Sequence, residues 1–475
     1  MSATKDNRLF RPDTGKPQPK VGIVHLGLGA FFRAHGAIYI GEAMAKSGGD
    51  WGIIGVSLMR PTQRDQLAPQ GFAYTALELG PLGETAQVID VVQDVLVARE
   101  DPAAVIAAMA DPDVKIVSLT VTEKGYCHEP STGALNATHP DVVYDLANPT
   151  APRSALGFLV AALGARKAAG VSPFSVLCCD NLPENGVVVR GVVLELAALV
   201  DADLATWIAD NGAFPSTMVD RIVPATKGED IKRVETLTGF YDASPVMHEP
   251  FRQWVVEDDF VDGRPDFGAV GVQMVANVTD FENMKLRCLN GTHSSLAYLG
   301  YLAGYETISD TVANAAFADW CCHLWTKEII PTLTPPEGED LAAYADALLA
   351  RYQNPAIRHL TWQIAMDGSQ KLPQRILGTI ADNLAAGRDC KGLILAVAAW
   401  MVYAGGTDEK GAAIDVRDPL ADQMKGQGAE ELLAITAIFP ETLATNPAFR
   451  APVLAAYANL KQIGARACVA EITHD

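Results

Sequence analysis

Val21-Gly-Ile-Val-His25-Leu-Gly27-Leu-Gly29-Ala-Phe-Phe-Arg33-Ala-His35 reads as an apolar strand, a Gly-x-Gly turn and the approach to a helix. Glycines at such a joint permit a tight turn and let backbone come close to a ligand. A helix start then offers bare N–H groups to a pyrophosphate. The pattern predicts a strand over Val21–Leu26, a helix over Ala34–Ala45 and a dinucleotide turn at Gly27 and Gly29. The third glycine of the usual fingerprint is absent, with Phe32 in its place, and two glycines alone occur at many strand–turn–helix joints. Arg33 adds a charge that could stand beside a phosphate.

Outward from that joint, residues 20–280 alternate between strand and helix patterns. Strands are predicted at Val21–Leu26, Trp51–Ser57, Ala73–Leu79, Gln87–Val92, Lys115–Val121 and Ser175–Cys179. Helices are predicted at Ala34–Ala45, Ala103–Ala110, Ala155–Ala169 and Val187–Leu199. Interleaved strands and helices imply an α/β fold, a Rossmann-like doubly wound parallel sheet with extra hairpin strands. Nucleotide then binds beyond the carboxyl ends of the strands, where Gly27–Arg33, Thr120–Glu123 and Asp180–Asn181 fall. Enzymes that use NAD usually place an acid at the end of the second strand. Here Leu58-Met-Arg60-Pro-Thr-Gln-Arg64 follows instead, so Arg60 could accept a 2′-phosphate or stack on adenine. From about residue 283 the pattern is helical almost throughout, broken at Pro331, Pro335-Pro336, Pro355, Pro373 and Pro440. That shift predicts a dinucleotide-binding domain over 1–280 and a mainly α-helical domain over 281–475.

Composition sets outer bounds. The chain has 475 residues, 49% hydrophobic and 20% charged, with a formal charge of −20. Nucleic acid is an unsuitable partner, because phosphate contacts need a basic surface. The apolar run Leu393–Ala404 is too short to span a bilayer and reads as a buried helix. The first residues show no apolar signal region. The eight cysteines have no metal-type spacing and read as reduced thiols of a cytoplasmic protein. Cys178 and Cys179, and likewise Trp254 and Trp362, read as core. No HxxxH or CxxC cluster supports zinc, so a metal-free site is expected. A small-molecule substrate is the expected partner, and a monomer is compatible with the sequence.

The second domain opens on Lys285-Leu-Arg-Cys-Leu-Asn290-Gly-Thr-His293. Lys can act as general acid or base, an Asn amide can donate to a developing oxyanion, and His can orient a hydroxyl. On an α-helix Asn290 lies about 140° and His293 about 80° from Lys285, so the three fit one broad face. A solvated lysine and a core histidine fit the same residues. Downstream, Arg358, His359, Lys371 and Arg375 gather positive charge within one stretch. That stretch is either a solvated helix face or a local field for an anion.

Five ordered segments carry a specific likeness: Gly27–His35, Ser118–Tyr126, Cys179–Gly186, Met218–Ile222 and Lys285–His293. Together they resemble the mannitol dehydrogenase family, the long-chain, metal-independent polyol and sugar-acid dehydrogenases, from about residue 20 to the C-terminus. The stretch Arg358–Arg375, with Asn148–Gly157, Phe251–Trp254 and Tyr305–Asp310, is more similar to the sugar-acid branch. Gln363 stands where the mannitol enzymes resemble one another in having arginine. The resemblance implies an active site in the cleft between two domains. It implies Lys285 as proton shuttle, Asn181 and Asn290 as oxyanion donors, His293 on a substrate hydroxyl and Asp220 tuning the lysine. It implies cofactor contacts at Gly27, Gly29, Ala30, Phe31, Arg33, Arg60, Thr120 and Glu123, with NAD as cofactor and NADP as the alternative. Arg358, Lys371 or Arg375 would hold a substrate carboxylate. The reaction implied is the interconversion of D-mannonate and D-fructuronate. A mannitol/fructose or related polyol pair, or tagaturonate, is the runner-up, and a non-catalytic dinucleotide sensor is the reading from another class.

Overall fold

A computed structural model describes residues 7–15, 17–129 and 132–473. The chain divides into two compact units, Met1–Thr279 and Asp280–Asp475.

The first unit carries strands β1 (Val21–Leu26), β2 (Gly52–Ser57), β3 (Tyr74–Gly80), β4 (Gly83–Ile89), β5 (Val92–Val97), β6 (Ile116–Leu119), β7 (Ser175–Cys178), β8 (Thr217–Asp220), β9 (Val246–His248), β10 (Gln253–Glu257) and β11 (Gln273–Val275). β5-β2-β1-β6-β7 form one sheet, parallel throughout. Both faces are covered, as a parallel sheet requires. Val24, Leu26, Val117, Leu119 and Val176 pack with residues of the helices Pro102–Ala110, Ala155–Ala169 and Asn185–Val200. Ile23, Ile53, Ile116 and Leu177 pack with residues of the helix Gly36–Ser47 on the opposite side. From β1 the chain first builds outward through β2 to β5, then returns to β1's other flank for β6 and β7. The order therefore switches between β1 and β6, where doubly wound sheets leave a crevice for ligands. Two three-stranded sheets, β4-β3-β9 and β11-β10-β8, complete the unit.

In the first unit three sequence expectations need correction. Gln87–Val92 is not one strand: β4 ends at Ile89, and β5 starts at Val92 as the edge of the parallel sheet. The helix expected at Ala34–Ala45 begins at Ala30, breaks at His35 and resumes as Gly36–Ser47. At the break the carbonyls of Arg33 and Ala34 accept from the Tyr74 hydroxyl at 2.7 Å and the Arg221 guanidinium at 2.8 Å. Those donors lie far along the chain, so no local pattern announces the break. The four short strands β8–β11 were not expected.

The second unit is helical around Lys391–Ala404, whose residues 392–404 are all buried. The expected α-helix through Lys285 is instead a π-helix over Lys285–Gly291, followed by an α-helix over Thr292–Leu302. Further π-helical turns occupy Leu324–Ile329 and Pro373–Leu377. No described helix is long and apolar enough to cross a membrane. Among the described residues none of the eight cysteines is in a disulfide, and all are buried except Cys322, which is half-buried.

Candidate active site

In the first unit, the turn after β1 is built from backbone constraints. Gly27 adopts φ +90°, and a Cβ there would collide with the Thr120 carbonyl at the end of β6. Only glycine suits that backbone and that approach. Gly29 has an ordinary φ of −92°, and an added Cβ would meet nothing nearer than 3.7 Å. Its glycine is therefore not required by protein packing. The amides of Ala30, Phe31 and Phe32 precede the first bond of the short helix, Arg33 N–H to Gly29 O at 3.3 Å. They are orphan donors by position.

His25 fastens this turn and went unnoticed in the sequence. Its Nδ1 meets Ser118 Oγ at 2.8 Å and its Nε2 meets Thr120 Oγ1 at 2.9 Å, while Phe32 stacks on its ring. Burial pulls its pKa down to about 3, so the ring is a neutral hydrogen-bonding staple. Asp180 fastens the next loop, accepting from Val121 N–H at 2.8 Å, Thr122 N–H at 3.1 Å and Tyr126 Oη at 2.5 Å. Exposed Asn181 follows it beyond β7, and Thr120 and exposed Glu123 follow β6. The residues after β1, β6 and β7 thus share the carboxyl edge of the sheet.

Arg33 and Arg60 fall differently. Arg33 is buried, donates to Ser244 O at 2.6 Å and lies over the Tyr74 ring. Its charge is committed to the interior of the unit rather than offered at the turn. Arg60 is exposed just past the end of β2. Asp220, buried at the end of β8, lies near His35, whose pKa burial lowers to about 3 and whose neighbours also include Arg221.

In the second unit the π-helix changes the geometry of Lys285, Asn290 and His293. Bonding from i to i+5 widens the turn, so residue i+5 sits roughly one turn above residue i. Asn290 therefore stands over Lys285 rather than the about 140° away that an α-helix gives. Lys285 is buried and Asn290 half-buried. The carbonyls of the wide turn take donors from elsewhere: Cys288 O from Trp325 Nε1 at 3.0 Å and Leu289 O from Tyr352 Oη at 2.8 Å. Gly291 fits because a Cβ would fall 2.7 Å from Arg375 O.

His293 is the focus of a positive cluster. Its Nε2 meets His359 Nδ1 at 3.2 Å, and Tyr352 stacks on its ring at 5.4 Å. Burial holds its pKa well below the usual histidine range, helped by His359, Arg375, Arg351 and Lys371. Lys371 also donates to Met366 O at 2.6 Å, and Arg375 to Ser294 Oγ at 3.0 Å. Arg358 does not join them: it is exposed and paired with Glu306 at 2.7 Å. Arg351, Tyr352 and Trp325 escaped the sequence reading, since nothing local marks residues drawn in from other helices. Among the described residues no three His, Cys, Asp or Glu side chains converge as metal ligands.

The family model for the mannitol dehydrogenase Rossmann domain matches residues 21–268, and that for the mannitol dehydrogenase C-terminal domain matches residues 277–461. The chain is 47% identical to D-mannonate oxidoreductase of Escherichia coli, covering 99% of this chain and 100% of the relative. It is 38% identical to a mannitol 2-dehydrogenase of Pyricularia oryzae, covering 100% and 97%. Among solved structures it is similar to Pseudomonas fluorescens mannitol 2-dehydrogenase in ternary complex with NAD and D-mannitol. That match has a TM-score of 0.86 at 38% identity and covers 96% of this chain and 95% of the other.

Proposed function

The chain belongs to the mannitol dehydrogenase family, and from that premise we propose that it is an NAD-dependent, metal-independent oxidoreductase interconverting D-mannonate and D-fructuronate. NAD, when bound, takes up or supplies the hydride. The chain's own task is one proton and one oxyanion. Gly27, Gly29 and the amides of Ala30 and Phe31 receive the pyrophosphate, a fit supported by Gly29, whose missing side chain no protein neighbour requires. Lys285 gives a proton to the ketone oxygen during reduction and removes it in reverse. The Asn290 amide, one turn above, donates to the same oxygen, worth about 3 kcal/mol if well aimed. Neutral His293 holds a neighbouring hydroxyl. The resemblance adds Asn181 and Asp220 to this set.

The observation that carries the choice of a sugar acid is the group of cations around His293. In a chain of formal charge −20, a desolvated substrate carboxylate needs specific positive partners. Arg375 is the preferred clamp, because a guanidinium can grip a carboxylate through two bonds, with Lys371 as its helper. A panel of D-fructuronate, D-tagaturonate and D-fructose with NADH and NADPH tests the reading. D-Fructuronate with NADH should give the highest kcat/KM, and Arg375→Met should raise KM for D-fructuronate while leaving any D-fructose turnover unchanged. A wild-type preference for D-fructose would transfer the assignment to the mannitol 2-dehydrogenase reading.

A further inference from the structure

Tyr352 touches the Lys285–His293 segment at two places. Its hydroxyl donates to Leu289 O, one residue before Asn290, and its ring stacks on His293 at 5.4 Å and 18°. Trp325, stacked behind it at 6.2 Å and 27°, donates to Cys288 O. Neither side chain is part of the reacting set above. Tyr352 lies at the end of the helix Leu341–Tyr352, and Trp325 lies in the π-helical turn Leu324–Ile329.

A π-turn is intrinsically unfavourable. It survives where the surroundings meet the groups that its wide geometry displaces. An α-helical turn over the same residues would rotate Asn290 away from Lys285 by about 100° or more. In the wide register Cys288 O takes the Trp325 donor, and Leu289 O takes the Tyr352 hydroxyl beside the backbone N–H of Thr292. The stack on His293 ties that register to the third member of the set.

We propose that Tyr352 is a positioning residue: by holding the Leu289 carbonyl and stacking on His293 it keeps Asn290 above Lys285 in the π-helical register. This rests on the reading of Lys285 as the proton shuttle. Its expected signature is a loss of turnover without a loss of binding, since misplacing a reacting group by about 1 Å costs about 100-fold. In the full-length protein, Tyr352→Phe removes the hydroxyl and keeps the ring. It should lower kcat about 10- to 100-fold, leave KM and the NADH Kd within about twofold, and raise the primary isotope effect with deuterated NADH as the chemical step becomes limiting. Trp325→Phe should shift the same quantities in the same direction. Tyr298→Phe is the control, since it deletes another buried hydroxyl of the unit, bonded to Ala365 O at 3.4 Å. Its kcat should stay normal while its Tm falls about as far as that of Tyr352→Phe. Lys285→Ala, assayed in parallel, separates the two hypotheses. If it retains turnover, the reading of the site fails. If it loses turnover while Tyr352→Phe and Trp325→Phe keep kcat within about twofold of wild type, the positioning role alone is overturned. Should Tyr352→Phe not fold, Trp325→Phe decides by the same criteria.

Discussion

Two glycines two residues apart answer to different demands. Gly27 is fixed by the protein itself, through its positive φ and the carbonyl of Thr120. Gly29 is exposed, with room for a methyl group, so a ligand is what would require its bareness. Gly27→Ala should therefore lower Tm and weaken NADH binding together. Gly29→Ala should leave Tm nearly unchanged and still raise the NADH Kd about 10-fold or more, because a methyl group would keep a pyrophosphate from the backbone. Thermal melts and fluorescence titration of both variants decide it, and equal effects on Tm would contradict the distinction. The sequence motif alone puts both residues under one heading. Their separation becomes visible only when Thr120, distant in sequence, is brought against one of them.

At the scale of elements, periodicity was enough for the long segments. The strand Val21–Leu26 and the helix Ala155–Ala169 have the ends that their patterns predict. Irregular helices were not legible, and both cases here have one cause. The break at His35 is held by Tyr74 and Arg221, and the π-turn by Trp325 and Tyr352. Carbonyls at both irregular turns take side-chain donors, and the chain supplies them from distant positions that no window spans. The strands β8–β11, of three to five residues, are too short to establish an alternation. Lys285, Asn290 and His293 were legible as residue types, whereas their mutual geometry was not. Gly291 adds a check on this turn. Gly291→Ala would force the π-turn away from the carbonyl of Arg375. The expected result is a large fall in kcat and in Tm, with NADH affinity retained because the cofactor turn lies in the other unit. Unaltered turnover would show that the turn tolerates displacement.

For the molecule as a whole, the histidines predict a response to acid. His25 and His35 are held by burial at a pKa of about 3, and His248 at about 4. In the unfolded chain each titrates near about 6.5. The native state therefore binds fewer protons than the unfolded state between those values. The stabilisation from neutral rings is complete above about pH 6.5 and is lost as pH falls toward 4, by up to about 1.4 kcal/mol per pH unit for each ring. Asp145 and Asp180, raised by burial, act in the opposite direction at the acid end. Calorimetry should show the transition of the first unit, recognised by its upward shift with NADH, moving to lower temperature between pH 7 and pH 5. A constant Tm over that interval would refute the account. Nothing in composition foretells this, because a histidine's burial is a property of the assembled sheet.

The sulfur inventory has a practical consequence. Burial raises the thiol pKa at every one of the cysteines for which a shift is resolved, including Cys127, Cys179, Cys288, Cys321 and Cys390. Half-buried Cys322 has the most accessible class of setting among the eight. A maleimide dye added to the native enzyme is thus steered to one helix of the second unit without any engineering. The remaining sulfhydryls act as silent recorders: each becomes alkylatable only while its surroundings are open. Mass spectrometry of the alkylation pattern over time would then give an opening frequency for each unit separately, a kinetic map written into the chain by its own packing.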